Sequence, residues 1–220
     1  MQQKSVRRRS TDAPCAPARA KIVPRGERRR DEIAAVAEAV FLDGGYADTT
    51  MQIVAARAGA SKETLYRHFG CKAELFAEVV RRRSALISGG EDNLRGPPEQ
   101  ALLRFSLNFL EFLTRPDSVC LYRVVVAEAP REPELGRIFF DQGPGRLLLR
   151  LAAFLKSAAE AGELHCADPT LAARLFLGSV ISYYQLSVLT GGRSFDKNDI
   201  LAHAQGAVSL FMARYGAKSQ

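Results

Sequence analysis

A chain of 220 residues with 47% hydrophobic and 25% charged side chains has ample apolar material for one large or two modest cores. No apolar run approaches the ~20 residues of a membrane-spanning helix, and the N-terminus lacks the hydrophobic centre of a secretory signal. Four scattered cysteines, none in a C-x-x-C pair, give neither a zinc site nor a disulfide framework.

The formal charge of +7 is unevenly placed. Residues 1–30 hold ten Lys/Arg against Asp12 and Glu27, while the remaining 21 basic and 22 acidic residues nearly cancel. Residues 1–24 contain too little apolar surface to fold alone and are expected to form a basic disordered arm. Arms of this kind track a DNA backbone or enter a minor groove. After Pro24-Arg25-Gly26, the residues Ile33, Val36, Ala37, Val40 and Phe41 recur at helical spacing and define a first amphipathic helix, stopped at Gly44-Gly45.

Two short helices joined by a tight turn follow, within TTMQIVAARAGASKETLYRHF from Thr49 to Phe69. Ile53, Val54 and Ala58 give the first an apolar face, and Gly59 supplies a residue that tolerates positive φ just past its end. Thr49 and Thr50 offer a cap and a phosphate contact, and Gln52 is the side chain of this helix expected to reach a base edge. Arg57 is assigned to solvent or phosphate. Ser61 caps the second helix, in which Leu65 and Phe69 share the inner face. Lys62, Thr64, Arg67 and His68 occupy the opposite side, with Tyr66 half-buried beside Leu65 and its phenol free to donate to phosphate. An anchored back and a front of short donors and cations suit the DNA major groove.

This string, with Lys72 three residues after Phe69, resembles the DNA-binding domain of the TetR/AcrR family of bacterial repressors over Glu27 to Val80. The resemblance implies a helix-turn-helix domain, placed at 25–88, with Lys72 on phosphate at the start of the next helix. It also implies a homodimer binding a palindromic operator. Cys71 departs from the small polar cap of relatives. A small buried substitute for that cap is expected there rather than a reactive thiol. The inner face of this helix is Leu75, Phe76, Val79 and Val80. Arg81-Arg82-Arg83 offers either a second phosphate patch or a favourable charge at the helix end. Gly89-Gly90 and Gly96-Pro97-Pro98 mark the break between domains.

From Glu99 nothing reads as a strand, and the fold class is all-α. Helices are expected over the stripe Ala101 to Leu113, over Val119 to Val126, over a short segment around Leu135 to Phe140, and from Leu147 to Ala161. Two more follow, one opened by Asp168-Pro169 and running to Leu189, the other capped by Asn198 and ending near Tyr215-Gly216. RVVVAEAPREPELGRIFFDQGPGRLLLRLAAFL with AGELHCADPTLAARLFLG resembles the AefR-type C-terminal domain over Val119 to Gly178. That resemblance implies a helical effector and dimer domain, placed at 97–216. The aromatic candidates for an apolar or amphipathic effector are Phe105, Phe109, Phe112, Tyr122, Phe139, Phe140 and Phe154, with Arg123 or Glu128 as polar partners. Small residues on the last two helices let subunits approach closely. The dimer face is expected at Ala172, Leu175, Gly178, Ser179, Ser182, Ala207, Leu210 and Phe211.

His68, His165 and His203 are far apart, no carboxylate–histidine cluster shares a helix face, and no glycine-rich phosphate loop occurs. Neither a catalytic role nor a cofactor or metal is expected. The reading is a cytoplasmic, nucleoid-associated regulator, a repressor whose partners are double-stranded operator DNA, a small effector and a second copy of itself. The alternative from another class is a sequence-tolerant architectural DNA binder driven by the basic arm.

Overall fold

A computed structural model describes residues 25–87, 94–192 and 195–217. Residues 1–24 and the Gly89-Gly90 break lie outside the described residues. Ten helices are present among those described: α1 (Arg25–Gly44), α2 (Met51–Arg57), α3 (Lys62–His68), α4 (Lys72–Ile87), α5 (Pro98–Thr114), α6 (Pro116–Glu128), α7 (Pro133–Gln142), α8 (Pro144–Glu160), α9 (Pro169–Thr190) and α10 (Lys197–Tyr215). The described residues contain no strand, only an isolated bridge between Leu164 and Gly216.

Helices α5 to α9 each begin with proline. At the first helical position its missing N–H would have had no intrahelical partner, and its fixed φ already suits the helix. This is why α8 starts at Pro144, three residues before the apolar periodicity suggested. Asp168 caps α9 by accepting from Leu171 N at 2.9 Å. The cap of α10 is Asp196, not Asn198: Asp196 accepts from Asn198 N and Asp199 N while Asp199 reaches back to the Asp196 N–H, a reciprocal capping box.

The side chains bury into two cores. One gathers α5, α8, α9 and α10 around Phe105, Leu110, Leu151, Leu155, Phe176 and Phe211. The other holds α1 to α4 around Ile33, Phe41, Val54, Leu65, Phe69 and Phe76, and it also includes Leu121 and Val125 of α6 and Leu135 of α7. The helix-turn-helix unit therefore does not close its core alone. Helices α6 and α7 complete it, so a displacement of either one must be felt by α1 and α4.

Candidate nucleic-acid interface and effector cavity

The turn between α2 and α3 forms as its residues require. Thr50 caps α2 by accepting from Ile53 N, Gly59 takes φ +55°, and Ser61 Oγ caps α3 by accepting from Thr64 N at 3.1 Å. The buried face of α2 is Met51, Val54 and Ala55; Ile53 is 43% exposed, because the short helix presents only one face to the core. Leu65 and Phe69 are buried, which turns Lys62, Tyr66 and Arg67 outward. Tyr66 is 51% exposed, the half-buried position expected of it. Gln52 is exposed on the adjoining helix, and Thr64 is partly covered, its hydroxyl sharing a hydrogen bond with Ser61 Oγ at 2.9 Å.

Two arginines of α1 hold this pair of helices in place. Arg29 donates to the carbonyls of Ala58 and Gly59 at the end of α2, at 2.9 and 3.0 Å. Arg30 donates to the His68 carbonyl at the end of α3 at 3.0 Å, lies 4.6 Å from the Phe69 ring centroid, and pairs with Glu78 at 3.1 Å. Cations at helix C-termini satisfy carbonyls that lack intrahelical donors and oppose the negative end of the dipole. Burial lowers the His68 imidazole below its ordinary pKa, and the charges of Arg67, Arg30 and Arg29 lower it further. His68 is thus less readily charged than an ordinary imidazole. Arg57 pairs with Asp43 at 3.1 Å.

Residues 46 and 47, just before α2, are clamped from both sides. Lys72 Nζ donates to the carbonyls of Tyr46 (2.8 Å) and Ala47 (3.3 Å) and sits 4.2 Å from the Tyr46 ring centroid. Glu128, the last residue of α6, accepts from the backbone N–H groups of the same two residues, at 2.9 and 2.6 Å. Gly45 takes φ +76°, and a Cβ there would lie 2.6 Å from Glu128 Oε1. The left-handed φ is what requires glycine, and a Cβ would in addition displace the Glu128 carboxylate. Burial, followed by the charges of Glu134, Glu132, Cys71 and Glu128, pushes the Tyr46 phenol up to about 12.

Each arginine of the 81–83 run is held in an ion pair. Arg81 pairs with Glu78, Arg82 with Asp31, and Arg83 with both Glu38 of α1 and Asp117 of α6. Arg83 is only 3% exposed; it also donates to Ser118 Oγ at 2.8 Å and lies 5.6 Å from the Phe112 ring centroid. Burial raises the Asp117 carboxyl, but the charge and hydrogen bonds of Arg83, with those of Arg115, outweigh it and hold the group below its ordinary pKa. Cys71, expected to be buried, is exposed. Glu74 reaches back to the Gly70 N–H at 2.9 Å, so a helix side chain turns to the start of α4.

Between the two cores lies a cavity of about 420 Å³ lined from α4 to α9, within the size range of small-molecule sites. Phe109, Phe112, Leu121, Tyr122, Phe139, Phe140, Leu147 and Leu177 supply apolar wall; Arg83, Ser84, Ser118 and Gln185 supply polar atoms. Val126 and Phe140 line it yet are more than half exposed, so it opens between α6 and α7.

Residues 100–217 match the profile of the AefR-like transcriptional repressor C-terminal domain, and residues 33–79 match that of bacterial regulatory proteins of the tetR family. The chain belongs to the TetR family. This TetR-family regulator is 45% identical over 74 residues to the transcriptional activator FasR of Mycolicibacterium smegmatis, spanning 33% of each chain. It is 26% identical over 180 residues to the uncharacterised HTH-type regulator YerO of Bacillus subtilis, spanning 79% of this chain and 61% of the relative. Among solved structures, a TetR-family regulator from Mesorhizobium loti superposes with a TM-score of 0.75 at 30% identity, covering 88% of this chain and all of the other. The flavonoid-responsive regulator FrrA superposes at 0.72 with 28% identity, over 88% of this chain and all of its own. The protein is a transcriptional regulator, not an enzyme, and no helix among its described residues is long and apolar enough to cross a membrane.

Within this TetR-family chain the effector candidates divide. Phe109, Phe112, Tyr122, Phe139 and Phe140 line the cavity. Phe105 does not; it is core, its ring 5.6 Å from Phe109 and 6.4 Å from Phe176. Phe154 packs on the same core outside the cavity. Arg123 donates instead to the carbonyls of Val188 and Leu189 at the end of α9, and Glu128 is taken by the 46–47 clamp. Arg83 and Gln185 were missed. Arg83 was legible in principle: it follows Phe76, Val79 and Val80 and precedes Ile87 on the inner face of α4. On α9 and α10, Leu175, Gly178, Ser179, Ser182 and Leu210 are exposed along one side, whereas Ala172, Ala207 and Phe211 are buried within the protomer.

Proposed function

We propose that the protein is a ligand-responsive repressor that binds a palindromic operator as a homodimer. The proposal divides the chain into a DNA-binding domain at 25–88 and an effector and dimer domain at 97–216. Gln52, Lys62, Thr64, Tyr66 and Arg67 read or grip the duplex, with His68 donating alongside and Thr50 at the phosphate edge; Lys72 reaches phosphate with the one ammonium proton that its contacts to the Tyr46 and Ala47 carbonyls leave over. The observation that carries this is the outward side of α3: Lys62 and Arg67 are exposed and held by no ion pair among the described residues, while nearby Arg29, Arg30 and Arg57 are all engaged.

Dimerisation is proposed through α9 and α10. Leu171, Leu175, Tyr183 and Leu186 of α9 and Leu201 and Leu210 of α10 are large, apolar and exposed, which is unusual for a surface with no partner. Gly178 and Gly206 lie among them with open space where a Cβ would be, room for a second copy's helix to approach. The cavity would take the effector. Its apolar wall suits a compact, largely apolar molecule, and the similar regulator FrrA is described as flavonoid-responsive.

Coupling would run through α6. Tyr122, Val125 and Val126 line the cavity, and Glu128 at the end of the same helix holds the backbone ahead of α2. A ligand that binds better when α6 is displaced shifts the population toward dimers with mis-spaced recognition helices, and only to the extent of that preference. The test is selection of binding duplexes from a random pool, followed by hydroxyl-radical footprinting of the winner. The expected footprint is two protected patches about one DNA turn, ~34 Å, apart. A single patch, or selection that enriches no sequence, would contradict the dimeric reading.

A further inference from the structure

The outward side of α3 carries an acid. Leu65 and Phe69 are buried, and two residues of helix turn the chain by about 200°. Glu63 and Arg67, each two places before one of them, therefore point most directly away from the core. Both are exposed, and although their i, i+4 spacing suits an ion pair, neither is held in one among the described residues. Glu63 is the second residue of α3, at the end by which a recognition helix meets base edges. An acid in the first turn also suits the helix dipole, which accounts for its presence in the free protein. It does not remove the repulsion that a carboxylate meets between two phosphate strands.

We propose that Glu63 is a specificity-determining residue that selects cytosine at one position of each operator half-site. The inference rests on α3 lying in the major groove. A carboxylate only accepts hydrogen bonds, and the bases that offer an amino donor on the major-groove edge are cytosine and adenine. Adenine sets its N7 acceptor beside that amino group, whereas cytosine presents the amino group alone. Guanine and thymine turn acceptor atoms toward the groove, which repel the carboxylate. Glu63 thus works as much by rejecting three bases as by binding the fourth. Arg67, one turn further along the same face, is its complement, a fork of donors that suits guanine.

The test is selection from a random duplex pool by full-length wild type, Glu63→Ala, Glu63→Gln and Arg67→Ala. The wild-type winner is then titrated by anisotropy with each of the four base pairs at every half-site position. Position 63 is exposed, so neither of its substitutions disturbs the core. Wild type is expected to favour cytosine by about tenfold or more at one position of each half-site. Glu63→Ala should accept all four bases there to within about threefold and keep the other preferences. Glu63→Gln, which gains an amide donor, should come to accept adenine at that position. If Glu63→Ala leaves every position unchanged while Arg67→Ala relaxes one, α3 reads the groove and the Glu63 assignment is overturned. If Glu63→Ala relaxes a position that is not cytosine, the choice of base is overturned. Identical profiles for the alanine and glutamine variants would trace the effect to the lost charge at the helix end and overturn the contact. If no sequence is enriched, or none of the three variants changes any position, the placement of α3 in the groove itself fails.

Discussion

Glu128→Ala is the sharpest perturbation of the junction. The carboxylate serves two backbone N–H groups, those of Tyr46 and Ala47, at 2.9 and 2.6 Å. Hydrogen bonds to a charged acceptor contribute about 1.5–3 kcal/mol each when a partner is left behind. The Ala47 N–H is at the surface and regains water, whereas that of Tyr46 is partly covered, so one full loss and a small second one are expected. The sum is about 2 kcal/mol, which for a chain of this size lowers Tm by about 4–8 °C. Thermal unfolding must be followed at one protein concentration, since any association moves Tm. Amide exchange at Tyr46 and Ala47 should accelerate together. Glu128→Gln, which retains one acceptor oxygen, should fall between. Gly45→Ala meets the same carboxylate at 2.6 Å, so its cost should be smaller when combined with Glu128→Ala than in wild type, a non-additive pair. Unchanged exchange at both amides, with Tm within about 1 °C of wild type, would refute the clamp.

Three further outcomes follow from the geometry. Arg67→Ala should weaken DNA binding and reduce the slope of log K against log salt by about one, while His68→Gln should change the slope less, because burial and the nearby arginines disfavour the charged imidazole. Gly178→Arg, where a Cβ meets nothing in the protomer, should leave the helical circular dichroism intact and convert a dimer to a monomer in sedimentation equilibrium; a persistent dimer would move the interface elsewhere. Acid sensitivity is set by Asp117 and Glu78, both held below their ordinary values of 3.8 and 4.5, burial raising each but their arginines prevailing. Lowered carboxylates stabilise the fold fully above those ordinary values, and the contribution is lost as pH falls through the lower, folded ones. Asp117→Asn should therefore flatten the pH dependence of urea unfolding below about pH 4.

The helix-turn-helix was legible because local rules agree there: the Ser61 cap, the left-handed Gly59 and the Leu65/Phe69 spacing each require the same turn. The Asp168-Pro169 start of α9 was legible for the same reason, cap and proline falling next to each other in the chain. What failed was long-range. Ile53 fits an apolar face on paper, yet a seven-residue helix buries only the side its neighbours cover. The arginines of 28–30 look like more of the basic arm, yet Arg29 and Arg30 are spent on two helix ends thirty and more residues away. Arg123 and Glu128 looked free for a ligand because their partners, the end of α9 and the backbone before α2, are distant in sequence. Periodicity says which side of a helix is buried, not what lies opposite it. Ala172, Ala207 and Phe211 illustrate this, since an inward-facing small or apolar residue packs equally well against its own protomer or another.

The most direct test of the account is fluorescence anisotropy of the full-length protein on the duplex enriched by selection, against random duplex of equal length, at several salt concentrations. The prediction is a preference of about a thousandfold or more that collapses in both Gln52→Ala and Thr64→Ala. Equal, steeply salt-dependent binding to both duplexes, unaffected by either substitution, would contradict it and favour a sequence-tolerant DNA binder.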